Sequence, residues 1–127
     1  MGIIKHTINI VRHAARDVGT GSKRSSHWPA VEHAYRKLHP VCEACGSDVR
    51  LNVHHKHPFH LHPELELDPN NLITLCMGSD ECHLLIGHGD NFRAYNPNVV
   101  EDVEKVKTDP SLREEIIKEA KEHRLFE

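Results

Sequence analysis

The sequence has few aromatic residues and no long hydrophobic run. Its 127 residues include three Phe, two Tyr and one Trp, and 38% of all residues are apolar or aromatic. This length corresponds to one domain, and so few large apolar side chains predict a thin hydrophobic core. We therefore expect a second source of stability, such as disulfides or a bound metal.

The beginning of the chain lacks the pattern of a secretory signal. Lys5, His6 and Asn9 interrupt the apolar residues between Met1 and Val11, and no stretch approaches the length of a membrane span. These absences predict a cytoplasmic protein without membrane association. Because cytoplasmic thiols are kept reduced, the four cysteines are predicted to be metal ligands rather than disulfide partners.

Charge is distributed unevenly along the chain, although the formal net charge is only -3. Residues 1–50 contain eight Lys or Arg against four Asp or Glu, residues 51–97 contain two against six, and residues 98–127 contain six against nine. The overall balance argues against a generic basic nucleic-acid binder. The basic first part is nevertheless compatible with polyanion binding on one face.

Composition divides the chain into three segments. Residues 1–25 form a predicted basic arm and linker, because the run GTGSKRSS is rich in Gly, Ser and cations. Residues 26–97 hold the motifs described below. Residues 98–127 are predicted to form two amphipathic helices that pack on the same domain, one over about 99–107 and one over about 109–125, with a capping box at Ser111 and Glu114.

The middle segment is predicted to contain a helix, two strands and a second helix, in that order. Capping residues, Pro and Gly mark the ends of the helices. The expected extents are, respectively, Ser25 or Ser26 to Leu38, Val49 to His54, Leu72 to Leu75, and Ser79 or Asp80 to Gly87.

The four cysteines form two pairs, Cys42 with Cys45 and Cys76 with Cys82. Zn²⁺ accepts four thiolates in a tetrahedron, and a tight turn within a pair presents both sulfurs to one ion. We therefore predict a structural zinc site, which would contribute folding energy and offset the thin core. The alternative is four unrelated reduced thiols.

Three short sequences between and beside the cysteines carry a resemblance: LNVHHKHP, DPNNLITLC and ECHLLIGH. The His-His pair at a strand end, Asn-Leu-x-x-Leu-Cys and Cys-His at a helix start resemble the HNH endonuclease family, over about Cys42 to His88. This resemblance implies an α+β fold: a small ββα-metal core stapled by a four-cysteine zinc site, with flanking α-helices. The segment that runs from RSSHWP to CEAC, up to the first cysteine pair, is similar to the corresponding part of small phage-type HNH proteins.

The resemblance also implies roles for individual residues. His54 would be a ligand of the catalytic metal, His55 the general base, Asn71 the middle Asn of the motif and His83 the second metal ligand. These roles suit phosphodiester hydrolysis, because imidazole titrates near pH 7 and a cation stabilises the developing charge. Successive strand residues face opposite sides, so the adjacent histidines can act separately. Asn71, rather than Asn70, is expected to hold the loop and orient the His55 ring.

The identity of a third metal ligand is open. Some family members carry another metal-binding His four residues after the helix His, but that position here is Gly87, and His88 follows it. On a regular α-helix His88 would point roughly 140° away from His83. If Gly87 ends the helix, His88 can instead turn back and join the site.

Several further residues near the motif are candidate DNA contacts or loop residues. Trp28, next to His27, is expected to pack on the first helix as a staple. His57, His60 and His62 are expected to be solvated or hydrogen-bonded, with a phosphate contact by His57 as the alternative. The candidate nucleic-acid-binding cations are Lys23, Arg24, Arg36, Lys37 and Lys56.

Together these patterns predict a metal-dependent endonuclease that nicks DNA or cuts both strands, with a His base and a divalent ion (Mg²⁺, Mn²⁺, Zn²⁺, Ni²⁺ or Co²⁺). The alternative is a catalytically silent zinc-knuckle module that binds nucleic acid, and a nuclease acting mainly on RNA would use the same site. DNA is the expected partner, and phage packaging proteins are candidate protein partners. Sequence specificity and oligomeric state stay open.

Overall fold

The computed structural model describes residues 23–127, so most of the predicted basic arm lies outside the described residues. Short antiparallel strands combine with helices, which confirms the α+β class. Helix α1 spans Trp28–Leu38, α2 Val99–Thr108 and α3 Arg113–His123, while the strands are β1 (Leu51–His55), β2 (Leu72–Cys76), β3 (Ala94–Tyr95) and β4 (Leu125–Phe126). A π-helical turn spans His83–Gly87, and 3₁₀ turns span Pro63–Leu65, Pro69–Asn71 and Pro110–Leu112.

Strands β1 and β2 form an antiparallel hairpin whose two faces carry different layers. Their register places Leu51 opposite Cys76 and His55 opposite Leu72. On one face Val53 and Leu72 pack with buried residues of α1, and on the other Ile86 of the π-helical turn belongs to a second buried cluster. Because side chains alternate along a strand, His54 and His55 face opposite layers.

Helix α1 begins later than its capping signals predict. The residue at the N-cap is His27, which makes no side-chain cap hydrogen bond, rather than Ser25 or Ser26. Ser25 is used locally instead: its Oγ accepts a hydrogen bond from the His27 N–H, and its own N–H donates to the Glu66 carboxylate at 3.0 Å. The helix ends at Leu38, as the sequence predicts.

The C-terminal segment packs on the same buried cluster as the hairpin, through valines of α2 and Ile116 of α3. The second predicted helix is shorter than expected, because α3 is preceded by a 3₁₀ turn and Leu125 pairs with Tyr95 in a small β3–β4 ladder. The expected capping box is also wrong: the Ser111 N–H and hydroxyl both donate to Asp109. No helix among the described residues has the length and apolar character that crossing a membrane requires.

Candidate active site and metal centres

The four cysteines converge on one point. Their Sγ atoms lie within 4.8 Å of one another, and those of Cys45 and Cys76 are 3.6 Å apart. A tetrahedron with Zn–S distances of about 2.3 Å has edges of about 3.8 Å. All four are free thiols, so the donor set fits a structural zinc ion, which Cys42, Cys45, Cys76 and Cys82 would hold.

Arg113 joins the C-terminal helix to this cysteine group. Its Nη1 donates to Cys82 Sγ at 3.1 Å, and its Nη2 donates to the Asp80 carbonyl. The hydrogen bond from the Cys82 thiol lowers the pKa of Cys42 to about 5 against the opposing effect of burial. Zinc binding would require all four sulfurs as thiolates, and a guanidinium beside Cys82 would offset part of their negative charge. Sequence reasoning missed Arg113, because nothing local marks a partner 31 residues from Cys82.

Three histidines form a second donor group, made of His54 on β1 with His83 and His88 at the two ends of the π-helical turn. One ligand nitrogen from each lies within 4.8 Å of the others. The His54 side chain is 2% exposed, and its Nε2 has no hydrogen-bond partner. Burial, followed by the neighbouring His83, holds the pKa of His54 well below its usual value. A buried imidazole nitrogen without a hydrogen-bond partner is costly, and a cation bound by its lone pair would remove that cost.

Hydrogen bonds fix the tautomers of the other two rings. His83 Nδ1 donates to Asn52 Oδ1 at 3.1 Å, and His88 Nδ1 donates to the Ala94 carbonyl at 2.7 Å. A neutral imidazole carries one N–H, so both Nε2 atoms present lone pairs, and these lie 3.1 Å apart. Two nitrogens at about 2.0–2.1 Å from a tetrahedral ion would be roughly 3.4 Å apart. The histidine group therefore fits a metal ion.

The π-helical turn explains why His88 joins His83. The His88 N–H donates to the His83 carbonyl at 3.1 Å, a bond spanning five residues. In a π-helix, unlike an α-helix, residues five apart lie on one face. The turn ends at Gly87, as the sequence predicts, and His88 follows it at the C-cap. Gly87 also leaves room for the site, because a Cβ there would lie 3.3 Å from His54 Cε1. The predicted caps at 79 or 80 are wrong, since Cys82 is at the N-cap.

Asn96 anchors the end of the π-helical turn. It is fully buried, and its Nδ2 donates to the Ile86 carbonyl at 3.0 Å and to Asp102 Oδ2 at 2.7 Å. Its backbone N–H donates to the Gly87 carbonyl at 3.0 Å. These bonds satisfy carbonyls that a helix end leaves without an intrahelical partner.

We expect Asn96→Ala to weaken metal binding at the histidine group by roughly tenfold, because the turn that aligns His83 with His88 loses its anchor. A cobalt titration followed by absorbance separates this group from the cysteines, whose thiolates give a distinct charge-transfer band. Asn98→Ala removes a neighbouring exposed amide and should bind cobalt like the parent. Equal affinities in the two variants would contradict the anchoring role.

His55 lies outside this histidine donor group, and its side chain faces the opposite side of β1 from that of His54. Its Nε2 donates to the Glu66 carbonyl at 2.8 Å, which leaves Nδ1 as the acceptor. The indole of Trp28 packs against the ring with centroids 4.4 Å apart. Burial lowers the pKa of His55, so the ring is neutral at pH 7. Trp28 therefore contacts the imidazole, whereas the sequence predicted only a staple on its own helix.

The Asn71 amide holds the loop but does not bond the His55 ring as predicted. Its Oδ1 accepts from the His57 N–H at 2.8 Å, and its Nδ2 donates to the carbonyls of His57 and Leu65, each at 3.1 Å. Both Nδ2 protons are thus used, and the carbonyl of Glu66 orients the imidazole instead. Glu66 carries no sequence signal for this role, because its backbone makes the contact.

A cavity of about 300 Å³, here called the cleft, brings these groups together. The three histidines of the second donor group and His55 all line it. Phe92, which is 53% exposed, stands beside His88 with ring centroids 5.0 Å apart. Four of the chain's aromatic residues line the cleft: Trp28, Phe59, Phe92 and Tyr95. The scarce aromatic residues are therefore concentrated at this opening.

Some of the candidate DNA-binding cations lie at the cleft. Arg24 lines it, with its Nε 2.6 Å from Glu66 Oε2 and its guanidinium over the Phe59 ring. Lys23 is exposed next to it. Lys56 follows β1, and its Nζ donates to the carbonyl of the exposed Asn70 at 3.1 Å.

The other candidate cations and the loop histidines are spread more widely. Arg36 and Lys37 lie near the far end of α1, away from the cleft. The rings of His57 and His62 contact each other, with centroids 5.2 Å apart. His60 lines the cleft.

A β-hairpin and a helical turn that close on a group of histidines define the ββα-metal class of small proteins. Residues 42–89 match the family model described as HNH endonuclease. The matched part of the chain includes both donor groups. Searches of curated proteins and of solved structures found no match. The resemblance to phage-type proteins stays a prediction.

Proposed function

We propose that the protein is a metal-dependent endonuclease that hydrolyses DNA phosphodiester bonds, with His55 as the general base. One observation carries the proposal: a neutral imidazole with an open Nδ1 shares a cleft with three histidines whose possible ligand nitrogens lie within 4.8 Å of one another. A nucleophilic water needs such a base, and a phosphate needs a nearby cation.

The residues of the cleft have separate roles in the proposed reaction. His54, His83 and His88 would hold a divalent ion, which supplies charge stabilisation to the phosphate and the leaving 3′-oxygen. His55 Nδ1 accepts the proton of the attacking water. Its Nε2–H bond to the Glu66 carbonyl keeps the ring oriented and favours the imidazolium that forms. The family resemblance implies 5′-phosphate and 3′-hydroxyl products.

Asn71 affects the orientation of the His55 ring indirectly, through the backbone of the loop. Its amide bonds the Leu65 carbonyl, and the next carbonyl along the chain, that of Glu66, accepts the His55 proton. We therefore assign Asn71 as a positioning residue. Arg24, whose side chain is 48% exposed although its Nε is paired, is placed to contact a phosphate that enters the cleft.

The chemistry of the donor atoms bears on which metal would bind and on the alternative of a catalytically silent module. Three imidazoles favour Zn²⁺, Ni²⁺, Co²⁺ or Mn²⁺, whereas Mg²⁺ would need phosphate and water oxygens to complete its shell. A silent zinc-knuckle module would be complete with four thiolates. It would have no use for a second donor group beside an open imidazole, which favours the nuclease.

A plasmid assay over a panel of divalent metals tests the function. The parent should convert supercoiled DNA to open-circular or linear forms and lose this activity in EDTA. His83→Ala should lose most activity together with one equivalent of bound metal, because the histidine group keeps only two donors. His123→Ala, an exposed change in α3, is the control and should cut like the parent.

Other outcomes of the assay are equally informative. If the protein cleaves a labelled RNA faster than DNA, RNA becomes the proposed substrate and the proposed active site is unchanged. A parent that carries metal at both groups but cuts neither nucleic acid would support the silent module. Unchanged metal content and activity in His83→Ala would contradict the proposed ligand.

A further inference from the structure

A second cavity, here called the basic groove, lies at the far end of α1 from the cleft. Its volume is about 510 Å³, and it is lined by His33, Arg36, Lys37, Pro40, Asp48, Arg50 and Leu51. Trp28 at the start of α1 and His55 at the end of β1 line the cleft, whereas the end of α1 and the start of β1 line the groove. Helix α1 and strand β1 therefore connect the two openings.

The groove has an excess of positive charge that the described residues leave uncompensated. Arg36 is paired with Glu32, Nε to Oε1 at 2.9 Å. Lys37 and Arg50 are exposed, and within residues 23–127 neither forms an ion pair. Asp48 is the one carboxylate among the lining residues. Two unpaired cations thus face a concave surface, which suits an anionic ligand.

The backbone of Arg50 gives an independent indication. Its φ is +53°, in the left-handed region that favours Gly, yet the residue is a long cation. The Arg50 carbonyl accepts from the Met77 N–H at 2.7 Å, which fixes this conformation beside the hairpin. A residue held in a strained conformation points to a use for its side chain.

The distance between the openings fits a nucleic-acid backbone. Nine helical steps from Trp28 to Lys37 span about 13 Å, and four strand steps from Leu51 to His55 also span about 13 Å. One DNA strand carries a phosphate every 3.4 Å or so along the axis, so this distance corresponds to about four nucleotides.

The surface of α1 between the openings leaves room for such a backbone. Its exposed residues begin with the small Pro29 and Ala30 near the cleft and continue with His33 and Lys37. The only carboxylate on α1, that of Glu32, is paired with Arg36.

We propose that the basic groove binds the phosphate backbone of the substrate about four nucleotides from the scissile phosphate, with Arg50 and Lys37 as the contacts. This inference rests on the proposed endonuclease function. A protein with a net charge of -3 cannot hold DNA by its overall charge and needs local contacts of this kind.

The test measures binding rather than cleavage. Full-length protein carrying His55→Ala is titrated into a fluorescent 20-base-pair duplex over a range of salt concentrations. Adding Arg50→Gln should weaken binding several-fold at low salt and reduce the slope of log K against log salt by about one. Lys118→Gln removes the same charge from an exposed position on α3 and should leave both quantities unchanged.

Arg50→Gly separates the side chain from the fold, because glycine accepts the positive φ without strain. It should melt no lower than the parent and bind DNA as weakly as Arg50→Gln. Equal slopes for Arg50→Gln and Lys118→Gln would overturn the groove and leave the endonuclease proposal intact. Failure to bind the duplex at any salt would overturn the groove, while the plasmid assay decides the catalytic function separately.

Discussion

Replacing His55 by alanine should abolish detectable nicking of supercoiled DNA while the fold and both donor groups stay in place. The change removes a cleft imidazole that lies outside the histidine donor group and whose Nδ1 is left as an acceptor, because its Nε2 donates to the Glu66 carbonyl. Loss of a general base typically lowers a rate by about 10²- to 10⁴-fold. We expect a loss of that size in the initial rate of plasmid cleavage.

The control must separate chemistry from metal loss. His55→Ala should retain the metal content and melting temperature of the parent, because the ligands lie on the opposite face of β1. The exposed His123→Ala change again serves as the histidine control. If the His55→Ala variant cuts at a rate comparable with that control, another group is the base.

Substituting Cys42 by serine should produce the largest loss of stability. The cysteine group joins the turn after α1, the end of β2 and the start of the π-helical turn, and Cys42 is 1% exposed within the main buried cluster. Because such a site does not exist in the unfolded chain, the free energy of metal binding contributes directly to the stability of the fold. A loss of about 3 kcal/mol would lower the melting temperature of a domain this size by roughly 10 °C.

Thermal unfolding followed by circular dichroism, with zinc measured on the same samples, checks this expectation. Ser79→Ala, an exposed change between Cys76 and Cys82, should melt like the parent and keep its zinc. Cys42→Ser should lose the metal and the stability together. A Cys42→Ser protein that melts with the parent would remove the structural role of the cysteine group.

Local patterns predicted the hairpin and much of the two donor groups. Adjacent His54 and His55 on a strand must face opposite layers, and paired cysteines present sulfurs to one point, so neighbouring residues alone define these features. The hairpin register is not among these features, because β2 is buried on both faces and hydrophobic alternation alone does not select one register.

The parts that sequence reasoning missed depend on contacts between distant segments. The caps and Gly87 signal a regular helix, but Asn96 and the packing around His54 favour a π-helical turn. The partners that orient the histidines are single carbonyls and amides, such as that of Asn52. A residue that contributes only one polar atom to a contact leaves no periodic hydrophobic pattern in the sequence.

The register of the hairpin also decides which histidine performs which chemistry. A slip of one residue between β1 and β2 would turn His54 toward Glu66 and His55 toward the π-helical turn, exchanging base and ligand. The pair Leu51 and Cys76 closes the other end of the ladder, and Cys76 belongs to the cysteine group. A metal ion bound by the cysteine group would therefore help to fix this register. In this way the structural site would determine which of the two adjacent histidines acts as the base and which one binds the catalytic metal.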